Sequence, residues 1–441
     1  MAELHADTVW EMRTTGDNTN GGGFYDSNPG TSVDYSQQAT AQLSLTDLAM
    51  VTGGTTLTSA TGGFTAAMDG NLLHITSGTN FTAAWYQMTY VDSNTATLNK
   101  DATNGSDASA GVGKVGGCLG ILTSAVLQEG TETYNTIYVK SGTFIATLDA
   151  SGYYGATNLS IIGYETNRGD NPLGDARPVF IMGGYALSAG TPTLWKNIRV
   201  TSTANRGVDC SSGGYYYNVS VANTSGTSSR TGVGFNSYSY FFKSSISCTN
   251  GYCIFQRTSG TPDILYSFLH DCAEGFTVYD NIRCTNTIFS NCSAYGLRVK
   301  RGGLFQVTNG IFYNCGTGIY VENLDKKTQI VNTIINSCDT GINSIVDTDY
   351  KVLSYVNFYG NTTDRTNVTA GDSDTTHDPK FVDAGNGDFR LQSDSLCATA
   401  GVPITLGTGG NTVTTYQGAV PAVASAGGGS ATRLVGGVLV G

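Results

Sequence analysis

Charged side chains are densest between residues 271 and 325, where catalysis would first be sought. The group comprises Asp271, Glu274, Asp280, Glu322 and Asp325, with Arg283, Arg298 and Arg301 nearby. Glycoside hydrolysis needs two carboxylates about 5 to 9 Å apart, one acting as acid and the other as base or nucleophile. If the chain winds into stacked coils, carboxylates one or two coils apart could meet that distance. A solvated face with a few ion pairs is the simpler interpretation. The sequence therefore predicts no catalytic residue and leaves open whether these charges form a site.

Ten cysteines and four histidines could in principle bind a metal or form disulfides. The histidines are scattered, at His5, His74, His270 and His377. Zinc sites are typically built from paired ligands such as Cys-x2-Cys with histidine, whereas most of these cysteines occur once per repeat. We interpret them as a buried column of small apolar side chains, with disulfides or a metal site as the alternatives. His74 is interpreted as a surface or satisfied strand residue, and no metal ligand, cofactor-binding residue or cofactor is predicted.

A repeat between Ile264 and Ile345 must position the charged group and the regularly spaced cysteines. Each of four copies holds a short apolar strand, a polar residue and a cysteine, a Gly turn and a second strand. The cysteines advance by 20, 23 and 23 residues, at Cys272, Cys292, Cys315 and Cys338. Such a unit cannot bury its apolar face alone, so copies must stack, with coils about 4.8 Å apart. The expected ladders are the four cysteines, then Phe289, Phe312 and Ile335, then Leu297, Ile319 and Ile342.

Composition supports a chain of short strands and tight turns. Among 441 residues, 58 are Gly, 25 are Tyr and only 13% are charged. Plentiful aromatic residues argue against disorder. The net charge of −11 without a basic cluster predicts no nucleic-acid partner. No apolar run is long enough to span a membrane and the first residues lack the features of a signal peptide, so neither a membrane partner nor a signal peptide is expected.

Four segments can be distinguished by their composition and by their pattern of predicted strands. Residues 1–25 hold a first strand, and residues 26–115 form a small inserted β domain of short strands and hairpin loops. Residues 116–400 form the parallel β-helix, with an N-terminal capping helix predicted at 118–128 and on the order of eleven coils between Tyr134 and Leu391. Residues 401–441 form a linker and an apolar arm that we expect to dock on a partner chain.

Three phrases resemble the pectate-lyase-like superfamily of right-handed parallel β-helices. They are a strand leading into a Gly/Asn-rich loop at 8–25, the phrase at 136–144, and the Asp-Pro-x-Phe-Val…Gly-Asp-Phe-x-Leu phrase at 378–391. The last phrase is similar to one that closes many of these β-helices. The resemblance implies an all-β, right-handed, single-stranded solenoid. It also implies lyase or galacturonase chemistry, but the Asp clusters and the Gly-His-Gly motif are missing. Arg298-Val299-Lys300 alone is similar to the galacturonase Arg-x-Lys.

The opening phrase Trp-Glu-x-Arg-Thr-Thr-Gly and the inserted β domain resemble bacteriophage head- and tail-fibre proteins. That resemblance implies a virion structural protein, a β-helical fibre, knob or adhesin on the particle surface. Its partners would be other virion proteins, bound through the termini, and a host-surface glycan. A homotrimer is one oligomeric state that related spikes adopt. The alternatives are a tailspike-type polysaccharide depolymerase, either a glycoside hydrolase or a lyase, and a bacterial cell-surface adhesin.

Overall fold

The protein is all-β, as the sequence predicts. Parallel strands stack into a β-solenoid of about eight turns, and a small closed β-barrel is formed by residues near the N-terminus of the chain. In the computed structural model the described residues are 4–5, 7–121, 136–146, 160–183, 187–189, 193–203, 206–210, 214–225, 230–235, 238–256, 260–301, 304–322, 328–345, 351–402, 404–405, 412–413, 417–418, 433–435 and 438–440.

In the described part of the chain the secondary structure consists of strands and single turns of 3₁₀ helix. The first strands are β1 (Val9–Met12), β2 (Gly23–Phe24), β3 (Leu43–Met50), β4 (Thr56–Ser59), β5 (Leu72–Thr79), β6 (Ala84–Asp92), β7 (Thr95–Leu98), β8 (Ala108–Val115), β9 (Thr136–Lys140), β10 (Thr143–Ala146), β11 (Ser160–Tyr164), β12 (Val179–Met182), β13 (Leu187–Ala189) and β14 (Thr193–Lys196). The next are β15 (Arg199–Ser202), β16 (Arg206–Cys210), β17 (Gly214–Tyr217), β18 (Ser220–Asn223), β19 (Thr231–Phe235), β20 (Ser239–Phe242), β21 (Ser245–Gln256), β22 (Asp263–Leu265), β23 (Phe268–Val278), β24 (Ile282–Thr285), β25 (Ile288–Val299), β26 (Phe305–Thr308) and β27 (Ile311–Tyr313). The last are β28 (Thr317–Val321), β29 (Thr328–Val331), β30 (Ile334–Asn336), β31 (Thr340–Ser344), β32 (Lys351–Ser354), β33 (Asn357–Tyr359), β34 (Thr363–Thr366), β35 (Phe381–Asp383), β36 (Asp388–Leu391), β37 (Ile404–Thr405), β38 (Thr412–Val413), β39 (Arg433–Val435) and β40 (Val438–Val440). The 3₁₀ turns span Tyr35–Gln37, Ala66–Met68, Gly174–Ala176, Ala384–Asn386 and Leu396–Ala398.

Two compact units divide the chain. The first comprises Met1–Ile181 with Gly190–Ile198, and the second comprises Met182–Ala189 with Arg199–Gly441. The barrel strands and the strands β9 to β11 therefore belong to the same unit. The domain boundaries expected at residues 25, 115 and 400 remain predictions.

In the first unit, β1 begins the parallel stack and the barrel follows it. Strand β1 pairs with β9, β9 with β11 and β11 with β14, all in parallel. The closed barrel has the strand order β3-β4-β7-β6-β5-β8. Trp10 of β1 is buried with its ring edge-on to Trp85 of the barrel, and His74 stacks on Trp85 at 3.9 Å between ring centroids. His74 lies on β5, as the sequence predicts, but its buried Nδ1 makes no hydrogen bond, and burial lowers the pKa of the imidazole.

The second unit winds through three parallel sheets. Sheet A contains β17, β20, β22, β24, β26, β29 and β32. Sheet B contains β15, β18, the first halves of β21, β23 and β25, and then β27, β30 and β33. Sheet C contains β16, β19, the second halves of β21, β23 and β25, and then β28, β31 and β34.

The three predicted ladders run up this unit in register. Cys272 pairs with Cys292 across adjacent coils, and their sulfurs are 3.4 Å apart. The Cys315 thiol in turn contacts those of Cys292 and Cys338. The remaining predicted ladders are also confirmed by the pairing of Phe289 with Phe312, Phe312 with Ile335, Leu297 with Ile319 and Ile319 with Ile342.

The corner between sheets B and C explains the polar residue that precedes each cysteine. Asp271, Asn291, Asn314 and Ser337 have φ of 51°, 53°, 51° and 56°. This left-handed conformation is disfavoured for most L-residues and best tolerated by Gly, Asn and Asp. Each cysteine then turns into the core just after the corner, so the repeated pair of residues encodes the bend.

Over the described residues the solenoid has about eight turns, fewer than the roughly eleven coils expected from the repeat length. Coils before the cysteine repeat vary in length: Ser160 of β11 pairs with Leu194 of β14, 34 residues further along the chain, whereas Arg199 of β15 pairs with Ser220 of β18, 21 residues further. Beyond β34 the chain makes only isolated parallel bridges, of Asp372 with Ser354 and of Thr375 with Asn357, and then leaves the stack. The phrase at 378–391, expected to close the solenoid, instead forms an antiparallel hairpin of β35 and β36.

That hairpin covers an apolar column on the outer face of sheet B. Its Phe389 and Leu391 are buried against the outward side chains of successive strands, which are Phe268, Ile288, Ile311 and Ile334. The capping helix predicted at 118–128 lies mostly outside the described residues. Its described beginning is extended, because Leu119 bridges Met12 in parallel. In the terminal arm, β39 and β40 form an antiparallel hairpin.

Candidate functional site

A stripe of outward side chains crosses sheet A of the second unit, one residue per coil. Register pairs each with the next, and in order they are Tyr215, Tyr240, Asp263, Arg283, Gln306 and Gln329. At the strand spacing of about 4.8 Å, six rungs extend over roughly 24 Å. We call these six residues the sheet A stripe, which is aromatic at one end and polar at the other.

The aromatic end presents flat rings to solvent. Tyr215 and Tyr240 are 51% and 38% exposed, and their rings stack with centroids 5.1 Å apart and planes 4° apart. Beside them Tyr217 stacks on Phe242 at 5.0 Å. Aromatic side chains usually bury their area, so a platform of exposed, mutually ordered rings indicates a contact surface.

The polar end carries groups suited to hydroxyl recognition. Arg283 donates from Nε to Asp263 Oδ1 at 2.6 Å and from Nη2 to Asp263 Oδ2 at 2.8 Å. One coil further, Gln306 Nε2 donates to Gln329 Oε1 at 3.0 Å. Each partner of these pairs is anchored on a neighbouring strand. The pairs therefore hold donors and acceptors at fixed positions along the stacking direction, on the same face as the rings.

Three members of the charged group between residues 271 and 325 form an ion-pair ladder on sheet C. Arg298 donates from Nη1 to Glu274 Oε1 at 3.0 Å, and from Nε to Glu322 Oε1 at 2.7 Å. Burial opposes the charge on Arg298, but both glutamates favour it, so its pKa lies above the ordinary value. Thr277 also donates to Glu274, whose side chain is nearly buried. Since Arg298 lies between the carboxylates and neutralises them, the geometry favours a structural role.

The other charged candidates that the structure describes lie elsewhere. Arg283 belongs to the sheet A stripe, and Asp271 lies at the B–C corner, where it accepts hydrogen bonds from His270 and Asn291. Asp280 and Arg301 follow the ends of β23 and β25 on loops. Asp325 lies outside the described residues. The sequence thus placed Glu274, Arg298 and Glu322 correctly as near neighbours, but only the structure assigns them to one ion-paired row.

The cysteine column carries no disulfide among the described residues. The 3.4 Å separation of the Cys272 and Cys292 sulfurs exceeds a disulfide bond of about 2.05 Å. Burial raises the pKa of the Cys248 thiol to about 12, whereas hydrogen bonds with the Cys253 and Cys292 thiols lower the pKa of Cys272 to about 6. Within the described ranges, no three His, Cys, Asp or Glu side chains are grouped as a metal site requires. The column is therefore a packed core element.

The aromatic end of the stripe was not identified from the sequence. Its signal is a pair of aromatic runs 25 residues apart, Tyr215-Tyr216-Tyr217 and Tyr240-Phe241-Phe242. Their middle members, Tyr216 and Phe241, are buried, and the flanking ones face outward, as alternation along a strand requires. The 25-residue spacing of the two runs is close to the repeat length, so extending the repeat to this region predicts the stacked rings.

Comparison with known proteins adds no assignment. No protein-family model matches the chain, and no curated protein matches its sequence. Over the part of the chain that the structure describes, no helix has the length and apolar character needed to cross a membrane.

Proposed function

We propose that this protein is a β-helical fibre, knob or adhesin on the surface of a bacteriophage-like particle and that the sheet A stripe contacts glycans. The exposed, stacked rings of Tyr215 and Tyr240 carry the glycan part of the proposal. A sugar ring offers apolar C–H faces to an aromatic ring and hydroxyls to neighbouring polar groups. The stripe provides both on one face, with Asp263, Arg283 and the two glutamines beside the rings.

The particle location rests on different support. The opening phrase that resembles phage fibres has structural roles in the first unit, since Trp10 packs on the barrel and Glu11 binds two arginines. Weak contacts along a stripe would be multiplied by several copies on one particle. Docking through the termini and assembly as a homotrimer belong to the same proposal.

Glycan binding is tested by measuring the affinity of purified protein for bacterial surface polysaccharides by glycan array and then by calorimetry. Tyr240→Ala removes one face of the ring pair and is expected to weaken binding about fivefold, since aromatic pairs contribute roughly 1 kcal/mol. Tyr359→Ala is the matched control, because Tyr359 is 38% exposed on sheet B, away from the stripe. Equal affinity of both variants and the parent would argue against the stripe.

The particle location is tested by sedimenting particles from the source culture and probing fractions with an antibody to the chain. The proposal expects the protein to travel with assembled particles, and it fails if the protein remains in the soluble fraction. Release of oligosaccharide from the bound polysaccharide, abolished by Glu274→Gln or Glu322→Gln, would instead favour the depolymerase alternative.

A further inference from the structure

An open groove of about 470 Å³ lies on the outer face of sheet B in the second unit, beside the turn at Ala384–Gly387. It begins at Phe268, where the apolar column covered by the hairpin gives way to small polar residues. Its polar lining includes Ser220, Ser245, Ser247, His270 and Asp271. The groove is thus open to solvent and rich in hydroxyl groups.

Three of these residues form a continuous hydrogen-bonded chain. The Asp271 carboxylate accepts from His270 Nδ1, with Oδ2 at 2.7 Å, and Ser245 Oγ lies 3.1 Å from His270 Nε2. With Nδ1 donating to the carboxylate, Nε2 is the acceptor for the serine hydroxyl. The order hydroxyl, imidazole, carboxylate is the one that activates a serine as nucleophile.

The fold holds each member of the chain in place. Ser245 and His270 face outward from adjacent strands β21 and β23, where Ser245 pairs with Phe268 and Ser247 with His270. The Phe268 ring stacks on the imidazole at 4.2 Å, and Phe268 is itself packed against Phe389 of the hairpin.

The acidic member is fixed from the other side. Asp271 has a φ of 51° at the B–C corner, and its Oδ1 accepts from Asn291 Nδ2 at 3.0 Å. The His270 hydrogen bond holds the pKa of the Asp271 carboxyl below its usual range, so the group stays ionised. Both ring nitrogens of His270 are therefore engaged, which fixes the orientation of the imidazole.

We propose that Ser245, His270 and Asp271 hydrolyse short-chain carboxylic esters, with acetyl esters of polar alcohols such as sugars as the substrate class. Ser245 Oγ bonds to the carbonyl carbon while its proton passes to His270 Nε2 and the carbonyl electron pair moves onto oxygen. When the tetrahedral intermediate collapses, the ester C–O bond breaks and the leaving alcohol takes the proton from His270. Water then attacks the acyl-serine in the same manner, releasing the carboxylic acid and regenerating Ser245.

The surroundings of Ser245 favour a short acyl group on a polar alcohol. Ser220 pairs with Ser245 on the next coil, and Ser247 lies two residues along the same strand face, so two hydroxyls flank the nucleophile. These hydroxyls are the candidate donors to the oxyanion. The groove is shallow and polar rather than a deep apolar channel, which suits an acetyl group better than a long acyl chain. Ester hydrolysis does not rest on glycan binding by sheet A.

The test measures hydrolysis of p-nitrophenyl acetate and release of acetate from an acetylated polysaccharide by the full chain. Ser245→Ala and His270→Gln are each expected to lower the rate at least about 100-fold. Ser106→Ala, in an exposed loop of the barrel, is the control and is expected to keep the parent rate. Thermal unfolding of each variant establishes that it is folded.

A second readout does not depend on turnover. A fluorophosphonate probe is expected to label the parent at Ser245, located by peptide mass spectrometry, and to leave His270→Gln unlabelled. Parent-level hydrolysis by a folded Ser245→Ala variant, or labelling of the parent at residues other than Ser245, overturns the proposal. Absence of both hydrolysis and labelling in the parent overturns it as well.

Discussion

At the residue scale, Glu11 on β1 is the side chain that most needs partners, because its carboxylate is fully buried. It accepts from Arg13 Nε at 2.7 Å and from Arg168 Nε at 2.8 Å, and Tyr164 also donates to it. Arg168 continues to Asp34 through Nη1 at 2.6 Å. Burial and the neighbouring Glu11 carboxylate both raise the pKa of Tyr164, which keeps its hydroxyl protonated as a donor. The network links the first strand, the coil of β11 and the segment before the barrel.

Removing the charge of Glu11 is expected to destabilise the first unit strongly. Glu11→Gln leaves Arg13 without its carboxylate partner and Arg168 with Asp34 alone, and breaking a buried pair costs about 3 to 5 kcal/mol. The measurement is the urea midpoint of the full chain followed by tryptophan fluorescence, since Trp10 and Trp85 lie in this unit.

The control for this prediction is an exposed ion pair. Asp394→Asn removes the partner of Lys380 at the surface, where water and salt already screen the charges, and is expected to leave the midpoint unchanged. Equal midpoints for Glu11→Gln and the parent would show that the network contributes nothing to stability.

Residue identities were predictable where the repeat constrains them. The Asp, Asn or Ser before each cysteine marks the left-handed corner, and the cysteine marks a core position, because both recur at fixed spacing. The contact of Ser245 with His270 could not be predicted in this way. Its two residues lie 25 apart on the chain and occupy non-equivalent positions of neighbouring coils, so only the register brings them together.

At the element scale, the β35–β36 hairpin acts as a cover for sheet B. Phe389 lies 5.3 Å from both the Phe381 and Tyr313 rings and 6.0 Å from the Phe268 ring, measured between centroids. The column beneath it would otherwise expose four large apolar side chains. The sequence indicated that this phrase ends the solenoid, but pairing within the phrase, rather than with the last coil, was not encoded by the repeat.

Truncating Phe389 is expected to release the hairpin while leaving the coils intact. Phe389→Ala should cost about 3 to 5 kcal/mol at this contact, as for other buried phenylalanines. Limited proteolysis should then cut between residues 381 and 392 at a lower protease concentration than in the parent. Val382→Ala, at a half-exposed position on the same hairpin, is the control. Unchanged protection in the Phe389 variant would contradict the assigned cover.

At the scale of the whole molecule, one feature determines the surface: coils stacked in register. In the second unit, register aligns the sheet A stripe and brings His270 of one coil to Ser245 of the next. The all-β solenoid and the inserted β domain were predictable, because short strands at a 20- to 23-residue period have few other ways to bury their apolar faces. The irregular lengths of the coils before the repeat were not predictable, because their periodicity is weak.

The register itself is tested most directly by disulfide cross-linking on sheet A. Gln306 and Gln329 are directly paired on adjacent coils, so cysteines introduced at both positions would have Cα atoms about 4.8 Å apart, within disulfide range. Arg283 and Gln329 are two coils apart, at about 9.6 Å, beyond that range. After mild oxidation, peptide mapping is expected to find the cross-link in the Gln306→Cys, Gln329→Cys protein and none in the Arg283→Cys, Gln329→Cys protein. Cross-linking of the second pair, or failure of the first, would contradict the stacked register.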